Sequence, residues 1–356
     1  MSPATQPTQR PRDAKLLVID DMGRVAHVPR TAFAGYLERG DLLVANDAAT
    51  LPASLSGGHE PTGARVELRL AGTDALAAAS VQRFRAILFG DGDYRTRTEK
   101  RPEPPRTAPG DRLLLGPLVA VVERALGHPR LLEIRFEGSP AAIWEGIARH
   151  GRPIQYAHMA LPLALWDVWT RIAGPPVAFE PPSAGFVLDW QLLAAIRRRG
   201  VAFATLTHAA GISSTGDPQL DARLPLDEPY RIPRSTAALI RRTLTNGGRI
   251  IAVGTTVVRA LEDAAHEGGT VRAGNGVARH RISRATRLRV VDAILSGTHE
   301  PGTSHYELLH AFADAAILAR ADREMETCHY LTHEFGDSVF VARGRGALPD
   351  RSRAAA

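Results

Sequence analysis

The residues best suited to ligand chemistry lie in residues 249–262, which read RIIAVGTTVVRALE. An apolar stretch without alternation predicts a buried strand, and a glycine followed by Thr255 and Thr256 predicts the start of a helix. Free backbone N–H groups at such a start favour an anionic or carbonyl-bearing ligand, with a threonine hydroxyl as cap or contact. Arg259 and Glu262 follow one turn apart on one helix face. The run therefore predicts either a ligand-binding helix start or a capped helix with a surface ion pair.

Four histidines in polar surroundings are candidates for proton transfer or for ordinary structural and surface roles. They are His158, His208, His299 and His305. No standard catalytic signature accompanies them, since the sequence has no Walker loop, no His-Glu-x-x-His motif and no Gly-x-Gly-x-x-Gly motif. Residues 274–279 come nearest to the last motif and predict a turn. The sequence also has no cysteine pair for zinc, so we expect no metal.

Composition limits the kind of protein that this chain can be. Of its 356 residues 44% are hydrophobic, which is enough for one large core or two ordinary ones. No segment approaches the roughly 18 apolar residues of a membrane span. The first ten residues lack the apolar core of a secretory signal, and the single cysteine, Cys328, excludes an intramolecular disulfide framework. We expect a monomeric globular protein of the cytoplasm with no membrane partner.

Nearly all of the positive charge is arginine, and the net charge is +6. Flat guanidinium groups suit phosphate binding, so either a nucleic-acid partner or a GC-rich genome explains this composition. Local clusters are better candidates for a binding face than the total. They lie at residues 197–199, 241–242 and 279–289. The near-alternating charge of the last cluster predicts the exposed side of a strand or ribbon.

The elements that must position these residues change in character along the chain. Buried strands and helices are predicted for residues 13–60 and 140–343, whereas residues 61–139 show short apolar–polar alternations separated by Gly, Pro and Asp. Such alternations are typical of a small antiparallel β-barrel. The sequence therefore predicts a split α/β domain with an inserted small antiparallel β-barrel domain. Residues 1–12 and 344–356 are polar, Pro- or Ala-rich and predicted to be loose.

Short motifs follow one another along residues 11–341 in an order that matches one known family. Gly40–Asp47 (GDLLVAND) precedes LPASL, and AVGTTVVRALE follows later in the chain. The other segments are Pro182–Gly185 (PSAG), Glu228–Pro233 (EPYRIP), His299–Pro301 (HEP) and Phe335–Asp337 (FGD). Together they resemble the S-adenosylmethionine:tRNA ribosyltransferase-isomerase family of queuosine biosynthesis, which has PTAG, ExYxIP and YGDA at the corresponding places.

The resemblance implies an α/β domain that carries an inserted β-barrel, and it implies a transferase and isomerase reaction. In that reaction the ribosyl part of the co-substrate S-adenosylmethionine is moved onto a 7-aminomethyl-7-deazaguanine base in tRNA. Its rearrangement gives epoxyqueuosine, adenine and methionine. The chemistry needs a cradle for the nucleoside, a base for an acidified proton beside sulfur, and a positive face for tRNA.

The same resemblance assigns the site residues. Proton transfer is expected from His158 or His299, with Glu228 as a further catalytic candidate. The residues expected to bind the co-substrate are Thr255, Thr256, Arg259, Glu262, Asn46, Asp47, Ser183, Ala184, Gly185 and Asp337.

Several polar positions of the family differ in this chain. Val187 stands where the family has a histidine, His208 comes one position later than another, and Leu226 replaces a third. A displacement of one residue in a strand moves a side chain to the opposite face. Two hypotheses follow: the transferase reaction on S-adenosylmethionine and tRNA, or a non-catalytic paralogue that binds a nucleoside or RNA on the same scaffold. The aromatic run at residues 166–169 predicts either a platform for a base or packing in a core.

Overall fold

The computed structural model describes residues 1–266 and 268–344. In this part of the chain the α-helices are α1 (Pro140–His150), α2 (Leu165–Val168), α3 (Trp190–Arg198), α4 (Pro218–Asp221), α5 (Arg234–Thr245), α6 (Thr255–Ala264), α7 (Ser304–Leu309) and α8 (Ala315–Thr327). The 3₁₀ helices are Arg30–Tyr36, Ala78–Ser80, Thr98–Lys100 and Ser183–Val187.

The strands of the same part of the chain are β1 (Ser2–Pro3), β2 (Lys15–Ile19), β3 (Val25–Pro29), β4 (Leu42–Asn46), β5 (Ala49–Thr50), β6 (Ser54–His59), β7 (Arg65–Gly72), β8 (Arg83–Phe89), β9 (Arg112–Leu115), β10 (Leu118–His128), β11 (Leu131–Phe136), β12 (Pro176–Ala178), β13 (Ala202–His208), β14 (Glu228–Ile232), β15 (Ile250–Val253), β16 (Gly274–Ala278), β17 (Ala293–Gly297), β18 (Leu331–Thr332) and β19 (Ser338–Ala342).

A mixed sheet carries the predicted helix start. Its strand order is β16-β14-β13-β4-β15-β17-β19-β2-β3, and β13, β4, β15 and β17 run parallel at its centre. Alternate residues of a strand point to opposite faces, and helices cover both faces of the central strands. Leu42 and Val44 pack in one core with residues of α5, α6 and α8, whereas Leu43 and Ala45 pack in another with residues of α3. The α/β part of the prediction is confirmed.

The predicted antiparallel β-barrel is also confirmed. Its strands close in the order β10-β11-β8-β7-β6-β9. The barrel begins at Ser54, however, and not at residue 61, so the predicted start of this region is wrong. Glycine often interrupts a strand, but Gly57 lies within β6. A Cβ atom at this position would come within 2.0 Å of the Leu114 carbonyl oxygen. A close backbone approach, rather than a chain break, explains this glycine.

The N-terminal segment is packed onto the protein, and the prediction that residues 1–12 are loose is wrong. Strand β1 pairs in parallel with β18, and Ala4 is buried. The Gln9 side-chain amide donates hydrogen bonds to the carbonyl oxygens of Asp167 and Trp169. At the other end, the predicted loose segment lies outside the described residues except for Gly344. The division of the chain into domains stays a prediction.

Two local predictions near the end of α6 are wrong. Residues 274–278 form β16, which pairs antiparallel with β14, instead of a turn. A Cβ atom at Gly276 would lie 2.3 Å from the Tyr230 ring, so this glycine makes room for a cross-strand aromatic ring. The basic residues 279–289 form an irregular loop rather than a strand, and Ile282 and Leu288 anchor it in the core.

Gly254 produces the turn from β15 into α6. Its φ of 92° and ψ of 156° lie in a region that is essentially restricted to glycine. A Cβ atom at this position would also approach the Ala184 Cβ atom to 3.3 Å. The glycine thus allows the helix to begin against the 3₁₀ helix Ser183–Val187.

We expect Gly254→Ala to destabilise the protein more than Gly40→Ala, by about 1 kcal/mol. Gly40 has a similar φ of 94°, but a Cβ atom added there would have no heavy atom within 4 Å. Gly40→Ala therefore measures only the loss of stability that comes from placing an alanine at a positive φ. Urea-induced unfolding of both variants measures the difference. Equal losses of stability would show that contact with Ala184 does not constrain the turn.

Candidate active site

A cavity of about 380 Å³ opens where the central parallel strands end. Ligands of open α/β sheets commonly bind at this edge, beyond the carboxyl ends of the strands. Its walls come from segments distant in sequence, which are the start of α6, the 3₁₀ helix before α3, the loop after β13, the first residue of β14, the basic loop and the segment after β17. The lining residues used below are Glu180, Ser183, Ala184, Gly211, Ser213, Glu228, Thr255, Thr256, Arg259, Arg281 and His299.

The start of α6 lies at the cavity, as the sequence predicts. No side-chain hydrogen bond caps the helix at Gly254, so the first backbone N–H groups of this ten-residue helix are available to a ligand. Thr255 and Thr256 both line the cavity, and the Asn46 side-chain amide lies 3.5 Å from the Thr256 hydroxyl. Ser183 and Ala184 form the facing wall. This arrangement provides donors and hydroxyl groups for a polar ligand.

Arg259 and Glu228 form a buried ion pair at the floor of the cavity. Arg259 also donates to the Ala278 carbonyl oxygen at 2.9 Å, and Glu228 accepts a hydrogen bond from the Gly211 N–H at 2.6 Å. Burial raises the pKa of Glu228, whereas Arg259 and the Gly211 N–H lower it. Arg259, on α6, is therefore paired with Glu228 on β14. The ion pair with Glu262 that the sequence allowed does not form. Glu228 is a structural partner of Arg259 as well as a cavity residue.

Of the four histidines considered for proton transfer, His299 and His305 line the cavity, and His299 is the one that the family resemblance assigns to catalysis. Its ring stacks on His305, with 4.5 Å between the ring centroids. Burial, helped by the neighbouring rings of His305 and His333, holds the pKa of His299 well below its usual range. The imidazole is therefore neutral at physiological pH and can accept a proton.

His158 lies outside the cavity lining, and its catalytic role stays a prediction. Its ring stacks on His333 at 4.6 Å, and its Nε2 atom is 3.7 Å from a carboxyl oxygen of Glu334. Burial first, and then His333, lower its pKa to about 4. His208 is fully buried beneath the site, with its Nε2 atom 3.5 Å from Glu228. Neither histidine lines the cavity, although His208 adjoins the cavity residue Glu228.

Glu180 is a cavity residue that sequence reasoning missed. Burial, reinforced by Glu334, raises its pKa to about 8. The Ser213 N–H donates a hydrogen bond to it at 3.0 Å. In the sequence, Glu180 is recognisable only as an acidic residue just before the PSAG segment. Its raised pKa could not be predicted, because the approach of Glu334 depends on the fold.

Other predicted site residues hold the framework instead of lining the cavity. The Glu262 carboxylate accepts hydrogen bonds from three successive backbone N–H groups, at residues 289–291, and thereby holds the basic loop. Asp337 accepts from the N–H groups of Lys15 and Leu331. Gly185 is buried against Thr170. None of the three lines the cavity, and their role as direct ligand contacts stays a prediction.

Asn46 and Asp47 join the ends of two central strands. The Asn46 oxygen accepts from the N–H of His208 at 2.9 Å, and its amide donates to the His208 carbonyl oxygen at 3.0 Å. Asp47 accepts from the hydroxyl groups of Thr205 and Thr207. Neither side chain lines the cavity; both hold β13, Asn46 also adjoins Thr256, and their contact with a ligand stays a prediction.

The aromatic run at residues 166–169 also lies away from the cavity lining. Trp166 is 77% exposed, so core packing is the wrong interpretation for this residue. Trp169 is partly exposed and donates a hydrogen bond to the Thr50 carbonyl oxygen. Stacking of a base on Trp166 stays a prediction.

Two kinds of feature are absent from the described residues. None of their helices is long and apolar enough to cross a membrane. In residues 1–266 and 268–344, no three His, Cys, Asp or Glu side chains are grouped so that they would hold a metal ion.

The cavity lies at the carboxyl edge of the parallel strands and contains a helix start, hydroxyl groups and a buried arginine. These features are typical of an α/β protein that binds a small polar ligand. The sequence profile described as Queuosine biosynthesis protein matches residues 2–341. The chain belongs to this family.

Named relatives match over nearly the whole chain. An S-adenosylmethionine:tRNA ribosyltransferase-isomerase of Pelobacter propionicus is 32% identical over 352 residues, which cover 95% of this chain and 95% of the relative. The protein of the same name from Sorangium cellulosum is 32% identical over 374 residues, with 95% and 94% covered. A crystal structure of S-adenosylmethionine tRNA ribosyltransferase from Thermotoga maritima has a TM-score of 0.49 and 24% identity, with 96% of this chain and 95% of that chain covered.

We expect Arg259→Met to destabilise the protein by about 3–5 kcal/mol, because it leaves the Glu228 carboxylate buried without its partner. The double variant Glu228→Gln with Arg259→Met removes both charges and is expected to regain a large part of that loss. Urea-induced unfolding at pH 8 provides the comparison, with Arg281→Met as an exposed control at the same cavity. A double variant no more stable than Arg259→Met would contradict a coupled pair.

Proposed function

We propose that this protein transfers and isomerises the ribosyl moiety of S-adenosylmethionine onto 7-aminomethyl-7-deazaguanine in tRNA, giving epoxyqueuosine. The observation that supports this most is the cavity at the start of α6, which brings Thr255, Thr256 and Arg259 together with Ser183 from a distant segment. All four were predicted from the family motifs. The names of the relatives point to the same reaction.

The cavity suggests how the co-substrate would be held. Backbone N–H groups at Thr255 and Thr256 are suited to oxygen atoms of the ribose or of the methionyl carboxylate. Ser183 and Ala184 face this helix start and would close over the nucleoside. S-adenosylmethionine acts here as a co-substrate, and we propose no metal for the reaction.

We assign the proton acceptor for the carbon beside sulfur to His299. It lines the cavity, and its low pKa leaves the imidazole neutral. The His305 ring stacked against it restricts its orientation. His158 is less suitable because it lies outside the cavity lining.

The basic loop at residues 279–289 is suited to the tRNA backbone. Arg281 belongs both to this loop and to the cavity lining, so the loop forms the rim of the site. Arg284 and Arg287 are exposed, and neither forms an ion pair with a described residue. Phosphates bound by this loop would therefore lie next to the base that enters the cavity. A tRNA substrate also supports a cytoplasmic location, and a monomer stays our prediction.

Purified protein is expected to release adenine and methionine from S-adenosylmethionine when tRNA bearing the precursor base is added, as followed by liquid chromatography. His299→Gln should slow adenine release by at least about tenfold while leaving S-adenosylmethionine affinity within about twofold, since it removes a proton acceptor of similar size. Binding of both substrates without adenine release by the wild type would instead support the non-catalytic paralogue.

Replacing Arg284 and Arg287 together by alanine should weaken tRNA binding and reduce the slope of log affinity against log salt concentration by about two. Fluorescence anisotropy at several salt concentrations measures this slope. Arg197→Ala with Arg198→Ala removes the same charge from α3, whose residues do not line the cavity, and serves as the control. Equal effects of the two double variants would rule out a specific basic face.

A further inference from the structure

Glu180 is the buried cavity carboxyl group that the proposed roles leave unused. It follows β12 and precedes Ser183 and Ala184, so it extends the wall that faces the start of α6. Its residue surface is only 8% exposed. The Ser213 N–H donates a hydrogen bond to it, but no Arg, Lys or His of the described residues forms an ion pair with it. A buried carboxyl group at a cavity wall without a counter-ion is suited to a cation supplied by a ligand.

Burial and a nearby carboxylate oppose the ionisation of Glu180. Glu334 and Tyr156 interact electrostatically with Glu180, and Arg69 is the charged group that favours its ionised form. Glu334 is half-buried, and the His158 Nε2 atom lies 3.7 Å from its carboxyl oxygen. The pKa of His158 is lowered to about 4, so this imidazole carries no charge at neutral pH. Burial and Glu334 outweigh Arg69 and keep Glu180 protonated up to about pH 8. A cation from the cavity side would reverse this balance.

We propose that Glu180 binds a primary ammonium group of a substrate and shares one proton with it. The proposal rests on the proposed function, whose substrates carry two such groups: the aminomethyl group of the acceptor base and the α-ammonium group of S-adenosylmethionine. Before binding, the carboxyl group and the ammonium group each hold an acidic proton. In the complex they hold one between them, and the other is released to solvent.

For the acceptor base, this shared proton has a chemical consequence. When the carboxylate takes the proton, one N–H bond of the ammonium group breaks and its electron pair stays on nitrogen. The neutral amine then has a free electron pair and is a nucleophile, whereas an ammonium group is not. Glu180 would thus both select a cationic acceptor and prepare it for reaction.

Isothermal titration calorimetry at pH 7 in buffers of different ionisation enthalpy counts the protons released on binding. One arm uses S-adenosylmethionine, and the other uses tRNA that bears 7-aminomethyl-7-deazaguanine, with tRNA that bears guanine as its reference. The wild type is expected to release about one proton in the arm whose ammonium group reaches Glu180. E180Q should release none in that arm and bind about tenfold more weakly.

Two further variants separate this role from a merely structural one. E300Q removes an exposed carboxyl group outside the cavity lining and should leave the proton count unchanged. E334Q removes the like charge that raises the pKa of Glu180, so Glu180 is already more ionised at pH 7 and fewer protons are released although binding persists.

Proton release that is the same in E180Q and wild type in both arms, or that is absent from the wild type in both arms, would overturn the proposal. Its failure is distinguishable from that of the proposed function. Glu180-dependent proton release without adenine release would refute the transferase reaction but support the ammonium site. Adenine release without Glu180-dependent proton release would support the transferase reaction and refute the ammonium site.

Discussion

The buried ion pair between Glu228 and Arg259 connects the parts of the chain on which the cavity depends. Glu228 begins β14 and accepts the Gly211 N–H, whereas Arg259 lies one turn into α6 and donates to the last carbonyl oxygen of β16. A helix, two strands and the loop after β13 are therefore held by a single pair of opposite charges. Because an unpaired buried charge is strongly destabilising, this pair fixes the relative positions of these elements.

The hydrogen-bonding groups around this pair divide into two kinds. Thr255, Thr256 and Ser183 line the cavity and are available to a ligand. Glu262 and Asn46, in contrast, accept hydrogen bonds from backbone N–H groups and hold the basic loop and β13 in place. A family motif thus contains residues that build the scaffold as well as residues that contact the ligand, since both kinds are needed for one geometry.

Local pattern was sufficient for the elements whose structure is decided locally. The apolar run before Gly254 and the threonines after it predicted β15 and α6, and the alternations of residues 61–139 predicted the barrel. The local sequence pattern was insufficient where residues distant in sequence determine the structure. Gly57 lies within a strand because the backbone of Leu114 approaches it, and residues 279–289 form a loop because Glu262 binds the backbone at their end. The raised pKa of Glu180 depends in part on Glu334, which is more than 150 positions away in the sequence. No local sequence pattern predicts that these two residues come close together.

The central claim is that the nucleoside of S-adenosylmethionine binds at the start of α6. A crystal structure of the protein with S-adenosylmethionine tests it most directly. We predict density for the nucleoside between Thr255 and Ser183, with an oxygen atom of the ligand within hydrogen-bond distance of an N–H group in the first turn of the helix. Density for the ligand elsewhere, with this cavity occupied by solvent alone, would contradict the account.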